Sequence, residues 1–273
     1  MKPLLFPDLE TYSDLDIKKV SLDRYASHPS TRILMCAYAF ESGPVMLWQE
    51  GEPGLADLKR LFQTHLCIPW NTGFERSLTE RVWRLTGVEW WDAMVMSLYA
   101  GLPAGLKDCN RVPFFANESQ TSKESLLINK FCKPQKDGSK RNADTDPEDW
   151  AAFGQYCRDD VADTRLIYQW LAARFAVPDR VLRAWRIDQR INQRGMPVDR
   201  LLTYRAWEEA QRLQLEGVEA LKELTGLENP NSPAQLLAWV RERGYPFTGL
   251  GKELVKKALN EEPDAEDKYL VDD

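Results

Sequence analysis

The sequence predicts an α/β fold: a mixed β-sheet flanked by helices, followed by a mostly helical segment. Three observations lead there. Short apolar runs and helically spaced runs alternate through residues 3–175. The polar turn Glu41-Ser42-Gly43-Pro44 separates two of the apolar runs as a hairpin turn would. After Pro178 the strand-like runs cease and helix caps recur, which sets the expected domains at 1–178 and 179–273. Strands followed by alternating strand and helix build one mixed sheet.

The elements follow in order. Residues 3–9 are apolar up to Asp8 and read as the first strand, and 32–40 with 45–49 make the hairpin. Leu55, Leu58, Leu61 and Phe62 give 55–64 a helical stripe, and 66–70 is a further short strand. Helices are expected at 75–85 and 93–101, and a polar loop at 133–149. Asp146-Pro147 is a cap and first-turn pair, which opens a helix over 147–175. Beyond Pro178 come helices at 179–194, closed by Gly195, from Asp199 to Gly226, from Ser232-Pro233 to Gly244, and at 252–259. The tail 261–273 carries seven acids against one lysine and is expected to fray.

Composition bounds the function. At 273 residues, 43% hydrophobic and 29% charged, the chain is a globular protein of about two domains and not a disordered one. No apolar run approaches the ~20 residues of a membrane span, and MKPLLFPDLE lacks a signal peptide's apolar region, so no membrane partner and a cytoplasmic location are expected. Five scattered cysteines without a CxxC pair argue against both a disulfide framework and a cysteine zinc site. A net charge of −6 argues against a surface that grips nucleic acid everywhere, but leaves room for a local site. Only His28 and His65 are available for histidine chemistry, so carboxylates are the open route.

Asp8 and Glu10 stand two apart at the end of the first strand, so they share a face and repel unless a cation lies between them. Tyr156 and Asp160, four apart in the long helix, also share a face, and Asp163 follows three later. Between these pairs lies Trp70-Asn71-Thr72-Gly73-Phe74-Glu75, with Glu75 opening a helix whose dipole suits a negative charge. Singly, each has a plain reading: a solvated strand end, a half-buried tyrosine beside a surface acid, a helix-start acid. Asp159 is expected to point into solvent, Asp163 to lie on the Asp160 face, and Asp92 to be structural.

Jointly, the order DxE, NxxFE, YxxxD resembles the three motifs of DEDD-superfamily exonucleases, and Tyr156 places the chain with the DEDDy type. Further segments are similar to bacteriophage family-A DNA polymerases. These are Trp91-Asp92-Ala93-Met94 with Gly101-Leu102-Pro103, Lys123-Glu124-Ser125-Leu126-Leu127-Ile128 with Phe131 and Pro134, and Tyr156-Cys157-Arg158-Asp159-Asp160-Val161. Ile191-Asn192-Gln193-Arg194-Gly195-Met196-Pro197-Val198-Asp199 resembles the entry into the polymerase region, and Asn231-Ser232-Pro233-Ala234-Gln235-Leu236 a later turn and helix. Two positions depart from the common pattern: Glu75 stands where most proofreading domains carry Asp, and Trp70 where a histidine is usual.

The resemblance implies a ribonuclease H-like fold and a metal-dependent 3′–5′ exonuclease of the proofreading type, acting in DNA replication on a single-stranded DNA 3′ end. It implies two Mg²⁺ or Mn²⁺ ions held by Asp8, Glu10, Glu75 and Asp160, with Tyr156 orienting the attacking water and Thr11, Asn71 and Phe74 contacting substrate. A polymerase remainder in cis or trans is the implied partner. No His-Asp-Glu triplet or fingers helix is present, so no polymerisation is expected of this chain itself. Two other readings stand beside this one: a non-catalytic DNA-holding or scaffold domain, and a stand-alone exonuclease acting on RNA. Arg180, Arg183, Arg186, Arg190 and Arg194 recur at helical spacing, as either a solvated face or a contact to duplex phosphates.

Overall fold

A computed structural model of the protein describes residues 2–112, 115, 124–135 and 137–260; Lys123 and the acidic tail 261–273 lie outside them. The chain divides into two compact units, Met1–Gln193 and Arg194–Asp273.

The first unit is α/β. Strands β1 (Leu4–Tyr12), β2 (Arg32–Phe40), β3 (Met46–Gln49), β4 (Leu66–Cys67) and β5 (Glu89–Trp90) form one sheet in the order β3-β2-β1-β4-β5. The β1–β2 and β2–β3 pairs are antiparallel, whereas β1–β4 and β4–β5 are parallel, so the sheet is mixed as expected. Helices α1 (Leu22–Ala26), α2 (Leu55–Thr64), α3 (Thr72–Arg81), α4 (Ala93–Tyr99), α5 (Leu106–Asn110), α6 (Glu124–Phe131), α7 (Pro147–Ala172) and α8 (Asp179–Arg194) complete it, the last reaching one residue past the division.

Alternation along β1 feeds two apolar clusters, one on each face of the sheet. Phe6 and Tyr12 join α4, α6 and α7 through Met96, Phe131, Phe153 and Val161. Leu5 and Leu9 join α2 and α3 through Leu58, Phe62 and Leu78. Asp8 and Glu10 therefore emerge on the α7 side. The β1–β2 register shifts between Glu10 and Thr11, a local irregularity of the kind that re-aims side chains beside functional sites.

Helix α7 is tied to the β2–β3 hairpin along its length. Trp150 Nε1 donates to Gln49 Oε1 at 2.5 Å, Arg165 Nη1 to the Phe40 and Gly43 carbonyls at 3.1 and 3.0 Å, and Gln169 Nε2 to the Glu41 carbonyl at 2.6 Å. A glycine inside a helix costs roughly 1 kcal/mol relative to alanine, and the close approach explains Gly154: a Cβ there would meet Leu47 Cδ2 at 2.9 Å.

Several boundaries differ from the sequence reading. The strand expected at 66–70 pairs only over Leu66–Cys67, and Pro69 brings no N–H to extend it. β5, two residues long, carries too little pattern to be read from sequence. The helix expected at 75–85 runs Thr72–Arg81, and Arg84 just beyond takes a positive φ of 54°. Helix α8, placed beyond the expected cut at 178, packs with the sheet unit: Trp185 is buried, edge-on to Trp91 with centroids 5.0 Å apart.

In the second unit are α9 (Arg200–Thr225), α10 (Pro233–Arg241) and α11 (Lys252–Asn260). Helix α9 starts and stops at its expected caps, whereas α10 starts at Ser232 as expected but ends at Arg241, before Gly244. Asp199 accepts from Leu202 N at 3.0 Å, Gly226 closes α9 with φ 68°, and Ser232 accepts from Gln235 N at 3.4 Å. None of the described helices is long and apolar enough to cross a membrane.

Candidate metal centre

Three elements bring acids to one place. β1 supplies Asp8 and Glu10, α3 supplies Glu75 and α7 supplies Asp160. A carboxylate oxygen of Asp8, one of Glu10 and the Cys157 sulfur all lie within 4.8 Å of one another. The charges feel each other: Asp8 and Asp160 raise the pKa of Glu10, Asp8 and Glu10 raise that of Glu75, and Asp8 raises that of Asp160. Loss of water is the larger cause at every one of these acids, because the ionised form prefers to be hydrated. Burial pushes Asp8 to about 6 and Asp160 to about 8, with Glu10 and Glu75 well above the usual carboxylate range.

Glu75 is the most enclosed of them, 2% exposed, and its Oε2 is buried without a hydrogen-bond partner. An orphaned buried carboxylate oxygen in the field of other acids is relieved by a cation. The donor set is oxygen-rich, and oxygen donors suit hard divalent ions such as Mg²⁺ or Mn²⁺. The residues present thus fit a divalent metal.

The position of Glu75 depends on Asp92, which caps α4 by accepting from Met94 N at 2.9 Å and Val95 N at 3.2 Å. The same carboxylate reaches back 20 residues to accept from Thr72 N at 2.9 Å and Asn71 N at 3.4 Å, so one acid ties the starts of α3 and α4 together. Asp92 is therefore structural, as expected.

Tyr156 is half-buried, stacked on Phe153 with ring planes 13° apart, and close enough to Asp160 to perturb its titration. Burial, then Asp160, Glu10 and Asp8, push its phenol far above the usual range, so it keeps its proton. Asn71 is exposed at the turn before α3, with φ 70° and no capping bond from its side chain. Thr11 is buried and shares a 2.9 Å hydrogen bond with the Tyr25 hydroxyl, and Phe74 packs against the Leu5–Leu9 cluster. Asp159 accepts from Gln155 at 2.8 Å, while Asp163 is buried and accepts from Asn110 Nδ2 at 2.5 Å.

Three neighbours escaped the sequence reading. The Cys157 thiol lies 3.4 Å from Asp8 Oδ2, Cys132 Sγ lies 3.8 Å from Glu10 Oε2, and Lys107 lowers the pKa of Asp160. Cys157 carried a signal, since it directly follows Tyr156 on the helix bearing Asp160; Cys132 and Lys107 carried none.

No protein-family model matches the chain. Over 263 residues, 92% of this chain, it is 28% identical to the DNA polymerase of Bacillus phage SP02. The match covers 40% of that polymerase, so the chain spans about two fifths of its relative's length and is its distant homologue over that stretch.

Proposed function

We propose that the sheet unit is a ribonuclease H-like 3′–5′ exonuclease that hydrolyses the terminal phosphodiester of single-stranded DNA with divalent metal. The observation that carries this reading is the close grouping of Asp8 and Glu10 oxygens on β1, with Glu75 and Asp160 near enough to feel their charge and Glu75 Oε2 left without a partner. The mixed sheet order and the homology to a phage DNA polymerase support it.

Asp8, Glu10, Glu75 and Asp160 would hold two Mg²⁺ or Mn²⁺ ions, which when bound supply Lewis acidity and a nucleophile at neutral pH. The rest is done by the chain. Asp8 and Glu10 present their oxygens side by side because the strand period puts them on one face. Tyr156 lies one helical turn before Asp160 and stacks on Phe153, which would hold the phenol where its oxygen can orient the attacking water. Tyr156 acts as a hydrogen-bond partner and not as a base, because its environment holds the proton on oxygen. Of the three expected substrate contacts Asn71 is the exposed one, on the turn before α3, and would meet the terminal nucleotide.

The test is an oligodeoxynucleotide labelled at either end, digested with Mg²⁺ or Mn²⁺. Stepwise shortening from the 3′ end, abolished by EDTA and by Asp8→Ala and slowed by at least about a hundredfold in Tyr156→Phe, is the expected result. DNA binding without hydrolysis would instead identify a holding domain, and preference for RNA a different substrate.

A further inference from the structure

The arginine stripe of α8 does not lie on an empty face. Arg183, Arg186 and Arg190 border a groove of about 620 Å³, with Arg76 of α3, Trp90 of β5 and Trp185 of α8 in its wall. Two donors in this wall lack acceptors: Arg76 Nε and Trp185 Nε1 are both buried without a hydrogen-bond partner, and Trp185 is only 9% exposed. Buried donors left unmatched cost roughly 1–3 kcal/mol each unless something supplies the acceptor.

Of the acids that border this region, Glu89 and Asp23 are ion-paired, whereas Glu80, Asp92 and Asp188 accept from uncharged donors and keep their charge. Glu89 pairs with Lys2 at 3.1 Å, Glu80 accepts from Gln193 at 3.0 Å, and Asp188 accepts from Gln189 and Asn192 at 3.3 and 3.1 Å. No ion pair within the described residues occupies Arg183, Arg186 or Arg190. On a chain of net charge −6, this is a concentrated positive surface.

Its extent indicates what kind of anion it takes. At ~1.5 Å of rise per residue, Arg183 and Arg190 stand roughly 10 Å apart along the helix axis, too far to serve one phosphate together. A second cavity of about 700 Å³ shares Arg76, Trp185 and Gln189 with the first and reaches Asn71 and Gly73 at the turn before Glu75. Its wall also holds Arg81 and the acids Asp23, Glu80, Asp92 and Asp188, so the cationic row itself lies in the first groove. A seat with buried donors, a row of cations leading away and continuity with the turn beside the acids together match a chain of phosphates.

We propose that the groove between α3 and α8 binds the sugar–phosphate backbone of a nucleic-acid strand, one phosphate seated at Arg76 and Trp185 and its neighbours on Arg183, Arg186 and Arg190. The direction of the strand toward the acids rests on the exonuclease reading; the phosphate site itself does not.

The test is fluorescence anisotropy of a labelled oligothymidylate in EDTA, titrated across salt concentrations, with dTMP and inorganic phosphate as competitors. Replacing Arg183, Arg186 and Arg190 with Gln removes three exposed charges, so at ~0.7 per contact on single strands the slope of log K against log salt should fall by about 2, with affinity at low salt dropping roughly tenfold or more. Replacing Arg200, Arg205 and Arg241 with Gln should leave the slope unchanged. An unaltered slope in the first triple variant overturns the proposal, as does competition by dTMP equal to that of unlabelled oligothymidylate at the same phosphate concentration. Because binding is read without metal, inactivity of the nuclease would leave this result standing.

Discussion

The carboxylate of Asp92 accepts the backbone N–H of Thr72 at 2.9 Å, and that bond sets where α3 begins and hence where Glu75 points. Asp92 is 2% exposed and serves four backbone donors from two helix starts. Asp92→Ala removes a cap worth about 0.5–2 kcal/mol and orphans buried donors at about 1–3 kcal/mol. We expect a stability loss of roughly 2–4 kcal/mol in urea unfolding, with any residual nuclease activity falling in turnover more than in KM. Asp92→Asn keeps an acceptor oxygen for part of the set and should fall between. A turnover loss without a stability loss would mean that Asp92 touches the chemistry directly.

Neutralising an acid in the cluster should stabilise the metal-free protein while harming catalysis. Glu75→Gln and Asp160→Asn each remove a buried negative charge that its neighbours oppose. Folded-state pKa values that are raised mean that wild-type stability is full at low pH and is lost as pH climbs through those values, about 6 for Asp8 and about 8 for Asp160. The variants' advantage in EDTA should therefore be smallest at about pH 3, below the ordinary carboxylate values of 3.8 and 4.5, and largest at about pH 9. It is read as a rise in Tm, at roughly 2–4 °C per kcal/mol. Saturating Mn²⁺ should stabilise the wild type and remove or reverse that advantage, and both variants should hydrolyse DNA poorly. A Glu75→Gln protein with normal turnover would take Glu75 out of the centre.

The cysteines should be chemically silent in the folded protein. Cys36, Cys67, Cys109 and Cys157 are buried, and burial pushes each thiol upward; the acids beside Cys36 and Cys157 add to the effect. The thiolate is the reactive form, so iodoacetamide at pH 8 should leave these four unmodified in native protein and modify them in guanidinium, as read by mass spectrometry. Modification of native Cys157 would show that the space beside Asp8 opens to solvent.

The acids were legible because their spacing matched the elements that carry them. Period two put Asp8 and Glu10 on one strand face, and a helical turn put Tyr156 with Asp160. That α7 brings Cys157 beside Asp8 depends on tertiary packing, which no local pattern encodes, and β5, two residues long, hid the parallel edge of the sheet. The turn ending α3 at Arg81 and the dual role of Asp92 were hidden for the same reason, since both depend on partners about 20 residues away or on backbone dihedrals. Helix α8 was read correctly as a helix, but its packing on the sheet unit hinges on one tryptophan, Trp185, whose burial the amphipathic pattern does not announce.

Asn71 can be separated into a backbone role and a side-chain role by two substitutions. Its φ of 70° and ψ of 66° lie in the left-handed region, and no capping bond from its amide supports the turn. Asn tolerates that region, glycine accepts it without a Cβ penalty, and alanine carries a cost of roughly 1–2 kcal/mol. Asn71→Ala should therefore lower Tm, whereas Asn71→Gly should leave it close to the wild type, with the Asn71 N–H to Asp92 retained in both. Both variants lose the amide equally. If that amide meets the terminal nucleotide, both raise KM for the oligonucleotide by a similar factor despite their different stabilities. A KM change confined to Asn71→Ala would assign the effect to the strained turn and its hold on Glu75, and would remove Asn71 from the substrate contacts.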